Sequence, residues 1–362
     1  MQASAEELLL NSKQLLFTKG RNTMTKRIIS ILSALMLILS MVSCNEKKEP
    51  FMFFAMNTFF TADIECDDDE IFSLLQNKAA EMEKIFSAAD GDSLVSKAGR
   101  GESIKNFEGN VHLITLANAS VSASKATGGY FSPVMGALTS LWNINGEDFD
   151  LPDEKDIKNA LLTSDISNLI VNEDDLILKN GARLDMGGCA KGYTADEFLK
   201  LFDEKSVTRA VVSLGGNILC YSQNEDEEFK IGLRAPFVND DSLCAVLNTS
   251  RGVISVSGGY ERYAEIDGKM YHHIISPFTG YPADSDLACA VIVSKGIYKL
   301  CGSLADCYST ALFAAGFDEA LKIYENIKED ADIILIKNDK TVYASEELKD
   351  SLKLSDGYSY IH

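Results

Sequence analysis

The chain has 362 residues, a hydrophobic fraction of 46%, only 6 prolines and a formal net charge of −20 at pH 7. This composition excludes disorder over most of the length. The acidic excess also argues against nucleic-acid binding, which depends on Lys and Arg neutralising phosphates, and it means that an anionic ligand would need a metal or backbone dipoles.

The N-terminal segment has the layout of an export signal. Lys26 and Arg27 precede an apolar run over 28–42, which is followed by Ser43 and Cys44. A positive region, a short apolar region and a small residue at the cleavage point are typical of a secretory signal. The alternative is a short transmembrane anchor, but the apolar run is shorter than the ~20 residues of a bilayer span.

The end of this segment, 41–44, resembles a bacterial lipobox, in which the cysteine is acylated and becomes the mature N-terminus. We therefore predict that Met24 is the true start, that residues 1–43 are not part of the fold, and that Cys44 carries a lipid. Residues 44–50 would then form a polar tether, and the protein would lie in a bacterial cell envelope, facing the periplasm or the exterior.

The cysteines after Cys44 do not indicate a metal site. They are odd in number, so they cannot all pair, and none forms a CxxC motif. Most of them lie in apolar runs, where cysteine behaves as a small hydrophobic residue. We expect no zinc site among them: Cys66, Cys189, Cys220, Cys244, Cys289, Cys301 and Cys307.

The remaining chain, 51–362, alternates strand-like and helix-like patterns. Residues 51–65 are rich in aromatic and β-favouring residues, which predicts a strand or hairpin arm. Apolar residues at helical spacing predict helices over 69–88, 109–126, 189–203, 303–315 and 317–328. Strands are predicted at 168–179, 208–213, 229–234, 243–248, 252–257, 262–266, 287–294 and 332–337, and the stretch after Trp142 to about 165 is polar and variable. Many short strands with interspersed helices favour an α+β fold with largely antiparallel sheets in one domain.

The segment 184–193, LDMGGCAKGY, is the first that carries chemistry. Two adjacent glycines between a strand end and a helix start let the backbone approach a ligand closely. The N–H groups of the following helix favour an anion, and Lys191 adds positive charge. Asp185 can accept hydrogen bonds from a ligand ring or sugar. The alternative is a tight turn with a solvated lysine.

The segment 272–282, HHIISPFTGYP, contains two of the 4 histidines. A neutral imidazole can exchange a proton or hold a phosphate oxygen near pH 7. Because strand side chains alternate between faces, only one of His272 and His273 can enter a given site. The alternative is a pair of satisfied histidines on a hairpin.

Asp306 and Thr310 are four residues apart in a predicted helix, and hence on one face of it. A carboxylate and a hydroxyl presented together suit a hard cation such as Mg²⁺, which accepts few protein ligands. The alternative is an aspartate near the N-terminus of its own helix that faces the helix dipole.

The segment 127–133, TGGYFSP, places glycines beside two aromatic residues, an arrangement that suits a wall for a flat ring. The alternative is a helix C-terminus followed by core packing. Two further glycine pairs, in 214–217 and 257–262, allow close backbone approach but are individually unspecific.

Taken in chain order, these segments resemble one family, the ApbE-type flavin transferases (FAD:protein FMN transferases). The matching segments span 56–313 and follow the order of the family. They are MNT at 56–58, SL at 93–94, TGGYFSP at 127–133, LDMGGCAKGY at 184–193, SLGGN at 213–217, GLRAP at 232–236, SVSGGYERY at 255–263, HHIISPFTGYP at 272–282 and ADCYSTALF at 305–313.

The resemblance implies a T-fold-like α+β architecture and an enzyme that binds FAD and uses Mg²⁺. It would transfer FMN to a Ser or Thr hydroxyl of an acceptor protein and release AMP. The acceptor would belong to an exported, flavin-dependent electron-transfer complex. By the same resemblance His273 is the catalytic histidine and also contacts the cofactor. The metal positions are Gly188 (through its carbonyl), Asp306 and Thr310, and the flavin- or adenine-contacting positions are Met56, Tyr130, Phe131, Ser132, Asp185 and Lys191.

Two departures from the family pattern keep alternatives open. Ser132 and Ser276 stand where the family usually has aspartate, so the site has less negative charge. A looser acceptor site would admit water and give an FAD pyrophosphatase that produces FMN and AMP. After the transferase and the pyrophosphatase, the third hypothesis is a non-catalytic FAD-binding lipoprotein.

Overall fold

The computed structural model describes residues 49–144, 146 and 149–361. The predicted signal and the lipidation site Cys44 lie outside these residues. None of the helices within the described part of the chain combines the length and apolar character that crossing a bilayer requires.

Within the described residues, sixteen strands form four sheets, and all but one pair of neighbouring strands are antiparallel. The strands are β1 (Phe51–Ala55), β2 (Thr58–Glu65), β3 (Leu169–Val171), β4 (Leu176–Leu178), β5 (Arg209–Leu214), β6 (Asn217–Ser222), β7 (Phe229–Arg234), β8 (Leu243–Thr249), β9 (Gly252–Gly258), β10 (Tyr263–Ile266), β11 (Lys269–His272), β12 (Leu287–Ser294), β13 (Ala331–Lys337), β14 (Thr341–Ala344), β15 (Leu352–Leu354) and β16 (Ser359–Tyr360).

A nine-stranded sheet is the centre of the fold, in the order β1-β2-β5-β6-β9-β12-β13-β14-β16. A second sheet has the order β15-β8-β7, and β3–β4 and β10–β11 are separate hairpins. The two faces of the central sheet are both buried, as β12 shows. Ala290 and Ile292 join one apolar cluster, while Cys289, Val291 and Val293 join another. This alternation follows from the two-residue period of a strand, and it explains why β12 is apolar throughout.

Helices cover one face of the central sheet, and the three-stranded sheet covers the other. The helices are α1 (Glu70–Phe86), α2 (Leu94–Gly99), α3 (Asn110–Ala126), α4 (Gly136–Trp142), α5 (Glu154–Thr163), α6 (Ala190–Glu204), α7 (Cys301–Ala315) and α8 (Phe317–Ile327).

Helix α7 is buried on almost every side because it lies between β9 and β12 below and α3, α6 and α8 around it. By contrast α1 buries a single stripe, formed by Ile71, Leu75, Ala79, Met82 and Phe86, at the spacing of an amphipathic helix. A smaller apolar cluster joins α4 and α5 to the chain around Ile275. The site described below lies where α4, α6, α7 and this cluster meet.

The α+β class with antiparallel sheets is confirmed, as are all five predicted helices, each within about two residues of its predicted ends. The predicted strand over 168–179 is instead the short hairpin β3–β4. The stretch after Trp142, which the sequence indicated only as polar and variable, contains α5. Helix α5 is mostly polar and is held by one fully buried side chain, Ile157, packed against α4.

Candidate active site

One cleft of about 230 Å³ brings together nine of the ten residues that the sequence singled out for catalysis, flavin or metal. It is lined by Tyr130, Phe131, Ser132, Asp185, Gly188, Lys191, His273, Asp306 and Thr310. Met56, the remaining residue, is not among the lining residues. It lies in the turn between β1 and β2, where its Sδ accepts a hydrogen bond from Thr194 of α6 at 3.3 Å.

The loop before α6 forms one side of the cleft. Asp185 Oδ1 accepts a hydrogen bond from the N–H of Gly187 at 2.7 Å, which closes the turn. Lys191 Nζ donates to the Gly187 carbonyl at 3.3 Å and so remains over the loop. The positive end of α6 and the ammonium group therefore face the same space, which favours an anion there.

Asp306 is 4% exposed, and its two carboxylate oxygens have different partners. Oδ2 accepts a hydrogen bond from the N–H of Gly192, in the first turn of α6, at 3.0 Å. Among the described residues, the hydrogen-bond partner of Oδ1 is the Ser255 hydroxyl at 3.5 Å, a long contact. Asp306 thus interacts with the N-terminus of α6, not with that of its own helix as in the alternative interpretation, and keeps one oxygen available to a ligand in the cleft.

The oxygens beside Asp306 fit a hard cation. Thr310 Oγ1 donates to the Asp306 carbonyl at 3.2 Å and also lines the cleft. A Cβ on Gly188 would lie 3.2 Å from Thr310 Oγ1 and 3.3 Å from the Phe131 ring, so a larger residue would require these neighbours to shift by a few tenths of an ångström. Carboxylate, hydroxyl and carbonyl oxygens are ligands that Mg²⁺ accepts, and a site with one carboxylate leaves positions for phosphate oxygens. No cluster of three His, Cys, Asp or Glu suited to a metal occurs within the described residues.

A chain of hydroxyls supports Thr310 from below. Ser257 Oγ lies 3.3 Å from Thr310 Oγ1 and 2.8 Å from Ser309 Oγ, which lies 2.9 Å from Ser255 Oγ. Ser255 in turn donates to the side-chain amide oxygen of Asn217, Oδ1, at 2.6 Å. All of these groups are neutral, so Asp306 supplies the negative charge at this end of the cleft.

The two adjacent histidines have separate environments, as strand alternation predicted. His272 is buried, and its ring is satisfied by the Ala283 carbonyl at 2.9 Å and the Ile274 N–H at 3.3 Å. His273 lines the cleft, with Nδ1 at 3.2 Å from the Arg262 carbonyl. Because a carbonyl only accepts, Nδ1 carries the proton of the neutral ring and Nε2 keeps its lone pair.

Burial and, to a smaller extent, the nearby guanidinium of Arg262 together lower the pKa of His273 to about 3. The imidazole is therefore neutral across the physiological range. Glu261, next to Arg262, also faces the cleft, and part of its side chain is exposed. Loss of hydration among the surrounding residues raises the pKa of its carboxyl group, and the positive charges of Lys191 and Arg262 oppose this increase. These two cations concentrate positive charge in an otherwise acidic protein.

Aromatic side chains form the opposite wall. Tyr130 and Phe278 meet edge to face, with ring centroids 4.8 Å apart. Trp142 Nε1 donates to the Gly280 carbonyl at 2.7 Å and ties α4 to the loop that follows His273. The ring of Trp142 stacks on Tyr271. This wall is held in place from its buried side and presents flat apolar surface to the cleft.

Several cleft residues were not identified as site residues from the sequence, and Ser257, Glu261 and Arg262 are among them. These three belong to the glycine-containing segment 257–262, which the sequence marked only as a place of close backbone approach. The signal that could have found them is the pair of opposite charges directly after two glycines, Glu261 and Arg262.

Comparisons with known proteins show which family the chain belongs to. A model of the ApbE family matches residues 56–335. The chain is 28% identical over 312 residues to the FAD:protein FMN transferase of Treponema pallidum (strain Nichols), covering 82% of this chain and 83% of that protein. It is 31% identical over 250 residues to the FAD:protein FMN transferase of Klebsiella pneumoniae (strain 342), covering 68% and 76%.

Solved structures share the fold. The ApbE protein of Thermotoga maritima superposes with a TM-score of 0.72 at 26% identity, over 84% of this chain and 98% of that one. The flavin transferase ApbE from Vibrio cholerae gives a TM-score of 0.71 at 19% identity, over 84% and 98%.

Proposed function

We infer from the cleft, and from the fact that the chain belongs to the ApbE family, that this protein is an FAD:protein FMN transferase. The observation that carries the proposal is one cleft in which three chemical features meet. These are the oxygens of Asp306 and Thr310, the cations Lys191 and Arg262, and the neutral imidazole of His273. Binding of a dinucleotide pyrophosphate requires the oxygens and the cations, and transfer to a hydroxyl requires the imidazole.

Binding of FAD would rely on charge and on stacking. Lys191 and the first turn of α6 attract the pyrophosphate, and Arg262 adds to the attraction. The wall around Tyr130 and Trp142 offers flat apolar surface to a ring system. Asp185, half-buried at the edge of the cleft, keeps acceptor capacity for a ring or sugar group of the ligand.

Asp306 Oδ1, Thr310 Oγ1 and the Gly188 carbonyl would hold Mg²⁺. When bound, the ion supplies neutralisation of the pyrophosphate charge, which eases departure of the leaving phosphate. The protein's own part is to fix these oxygens, through the Gly192 N–H on Asp306 and the serine hydroxyls below Thr310.

His273 would accept the proton of the attacking hydroxyl at Nε2. The hydroxyl oxygen of a Ser or Thr of the acceptor then bonds to the phosphorus of the FMN half. The bond from that phosphorus to the bridging oxygen breaks, and AMP leaves with that oxygen. A base whose pKa is about 3 is weak, but phosphate charge entering the cleft raises the pKa of the imidazole towards a useful value.

The setting of the reaction is part of the proposal. Lipidation of Cys44 would tether the domain to a membrane in the cell envelope, where it would meet an exported flavin-dependent electron-transfer protein. Mass spectrometry of the mature N-terminus tests the anchor. An acylated Cys44 supports it, and an intact segment before Cys44 contradicts it.

The activity is tested by incubating the protein with FAD, Mg²⁺ and a candidate acceptor, then looking for flavin fluorescence on the acceptor in a denaturing gel. The matched variants are His273→Gln and His272→Gln, since a Gln amide still donates to the Ala283 carbonyl in the second but is no base in the first. We expect a fluorescent band for the wild type and His272→Gln, and none for His273→Gln. AMP release without acceptor and without any band would instead indicate a pyrophosphatase, and bound FAD without turnover would indicate a binding protein.

A further inference from the structure

We propose that Asp196 is a positioning residue for Asp306, because it caps helix α7 from helix α6 and thereby aligns the carboxylate that faces the cleft. The effect on metal binding rests on the proposed function, whereas the mechanical coupling between the helices does not.

Neither of the two helices has a side-chain cap of its own. The residue before α6 is Cys189, and the residue before α7 is Leu300, whose φ of 64° is in the left-handed region. Neither side chain accepts a hydrogen bond from its own helix. The free N–H groups of a buried helix start must be satisfied from elsewhere.

Asp196 satisfies them for α7. Its Oδ1 accepts from the N–H of Gly302 at 2.8 Å, and its Oδ2 accepts from the N–H and the hydroxyl of Ser303, at 2.9 and 2.5 Å. The side chain is 5% exposed. The carboxylate thus fixes the start of α7 relative to α6 with both of its oxygens.

Asp306 makes the reciprocal contact on α6, where it accepts from the N–H of Gly192. Each aspartate lies four residues after the glycine of its own helix, in the segments GYTAD (192–196) and GSLAD (302–306), which share the pattern G-x-x-A-D. Residues four apart share a helix face, so each face presents one glycine N–H and one carboxylate to the other. The two helices therefore cap each other.

The glycines set the distance between the helices. A Cβ on Gly192 would lie 2.1 Å from the Gly302 carbonyl oxygen, and a Cβ on Gly302 would lie 2.3 Å from the Gly192 carbonyl oxygen. The backbones are therefore in direct contact, and neither helix can slide without breaking both caps. Removal of the Asp196 cap should release the start of α7 and, with it, the alignment of Asp306 on Gly192.

The first test is hydrogen–deuterium exchange on the full-length protein, without FAD or metal, for Asp196→Asn. An amide at 196 keeps one acceptor oxygen but turns the other into a donor, so Gly302 and Ser303 can no longer both be capped and the cap is weakened. The matched control is Asp332→Asn, since Asp332 is also buried and bonded to a serine hydroxyl, at 3.0 Å, but lies in β13. We expect faster exchange in peptides covering 299–307 and also 186–195 for Asp196→Asn, and in neither for Asp332→Asn. Faster exchange in 299–307 alone would overturn the coupling.

The second test is Mn²⁺ binding followed by electron paramagnetic resonance in the presence of ADP, whose two phosphates stand in for the pyrophosphate. We expect about tenfold weaker Mn²⁺ binding for Asp196→Asn, the scale of losses when a group that orients a metal ligand is removed. Unchanged Mn²⁺ binding in a folded variant would overturn the positioning role.

If Asp196→Asn fails to fold, Ser303→Ala removes one of the three hydrogen bonds to Asp196 and should give the same changes to a smaller degree. Unaltered exchange and Mn²⁺ binding in Ser303→Ala would count against the proposal. If the wild type shows no FMN transfer, but exchange in both helix starts still increases together in Asp196→Asn, the proposed function is refuted and the coupling is not.

Discussion

Replacement of Gly192 by alanine should push α6 and α7 apart. The new methyl group would meet the Gly302 carbonyl oxygen at 2.1 Å and Asp306 Cβ at 2.8 Å, whereas ordinary contacts begin near 3.4 Å. The helices must therefore separate by about 1 Å, because the neighbour is backbone in a close-packed interior. The hydrogen bond from Gly192 to Asp306, now 3.0 Å, would then be lost.

The expected cost combines two effects. Overpacking of a tight core costs about 1–3 kcal/mol, and loss of a hydrogen bond to a charged group costs about 1.5–3 kcal/mol. The higher helix propensity of alanine returns up to about 1 kcal/mol. We therefore expect the free energy of unfolding of Gly192→Ala to fall by about 3 kcal/mol, with weaker FMN transfer.

Urea unfolding followed by fluorescence measures this, because the chain has 1 Trp and Trp142 is 2% exposed. The matched control is Gly99→Ala, also a helical position, where a Cβ would meet only Arg183 Cγ, at 3.9 Å. There the same substitution should leave stability unchanged or raise it by up to about 1 kcal/mol. A Gly192→Ala protein as stable as the wild type, within about 0.5 kcal/mol, would refute the tight-contact reasoning.

Four further predictions concern the site and the anchor. Lys191→Met should weaken FAD binding about tenfold, the loss of roughly one charge-assisted hydrogen bond, while urea unfolding stays unchanged; equal affinity by fluorescence titration would contradict it. Thr310→Val should raise the Mg²⁺ concentration needed for half-maximal transfer, and an unchanged Mg²⁺ titration would exclude Thr310 as a ligand. Between pH 7 and 5, His273→Gln should lose less stability than the wild type, by up to about 2 kcal/mol. Because the pKa of His273 is lowered in the folded protein, only the unfolded wild type binds a proton on this imidazole as the pH falls below 6.5. Parallel pH profiles of urea unfolding would contradict this prediction. Cys44→Ser should move the protein from the membrane to the soluble fraction of cells, and continued membrane association would contradict lipidation.

The parts of the fold that sequence predicts are those whose pattern is local. The spacing of apolar residues is enough to predict helix α1 and strand β12. Strand β6 was missed, although Gly215 and Gly216, both with positive φ, form the turn that leads into it. That pair was interpreted as a place of close backbone approach, whereas a two-glycine turn between strands is also a hairpin signal.

In the candidate site too, some features follow from local sequence patterns and others depend on tertiary contacts. Strand alternation was enough to predict that His272 and His273 serve different faces, and helical spacing was enough to place Asp306 beside Thr310. The tautomer of His273 depends on a carbonyl eleven residues away. The cap from Asp196 depends on a helix 106 residues further along the chain. Such contacts are fixed by tertiary packing, and no local pattern specifies them.

We propose that the FMN half of FAD moves in this cleft onto a hydroxyl of another protein. Quantitative mass spectrometry of the acceptor, with parallel measurement of AMP, tests this transfer. We expect one AMP released for each FMN bound to a Ser or Thr of the acceptor, and neither product with His273→Gln. Release of AMP together with free FMN, and an unmodified acceptor, would contradict it.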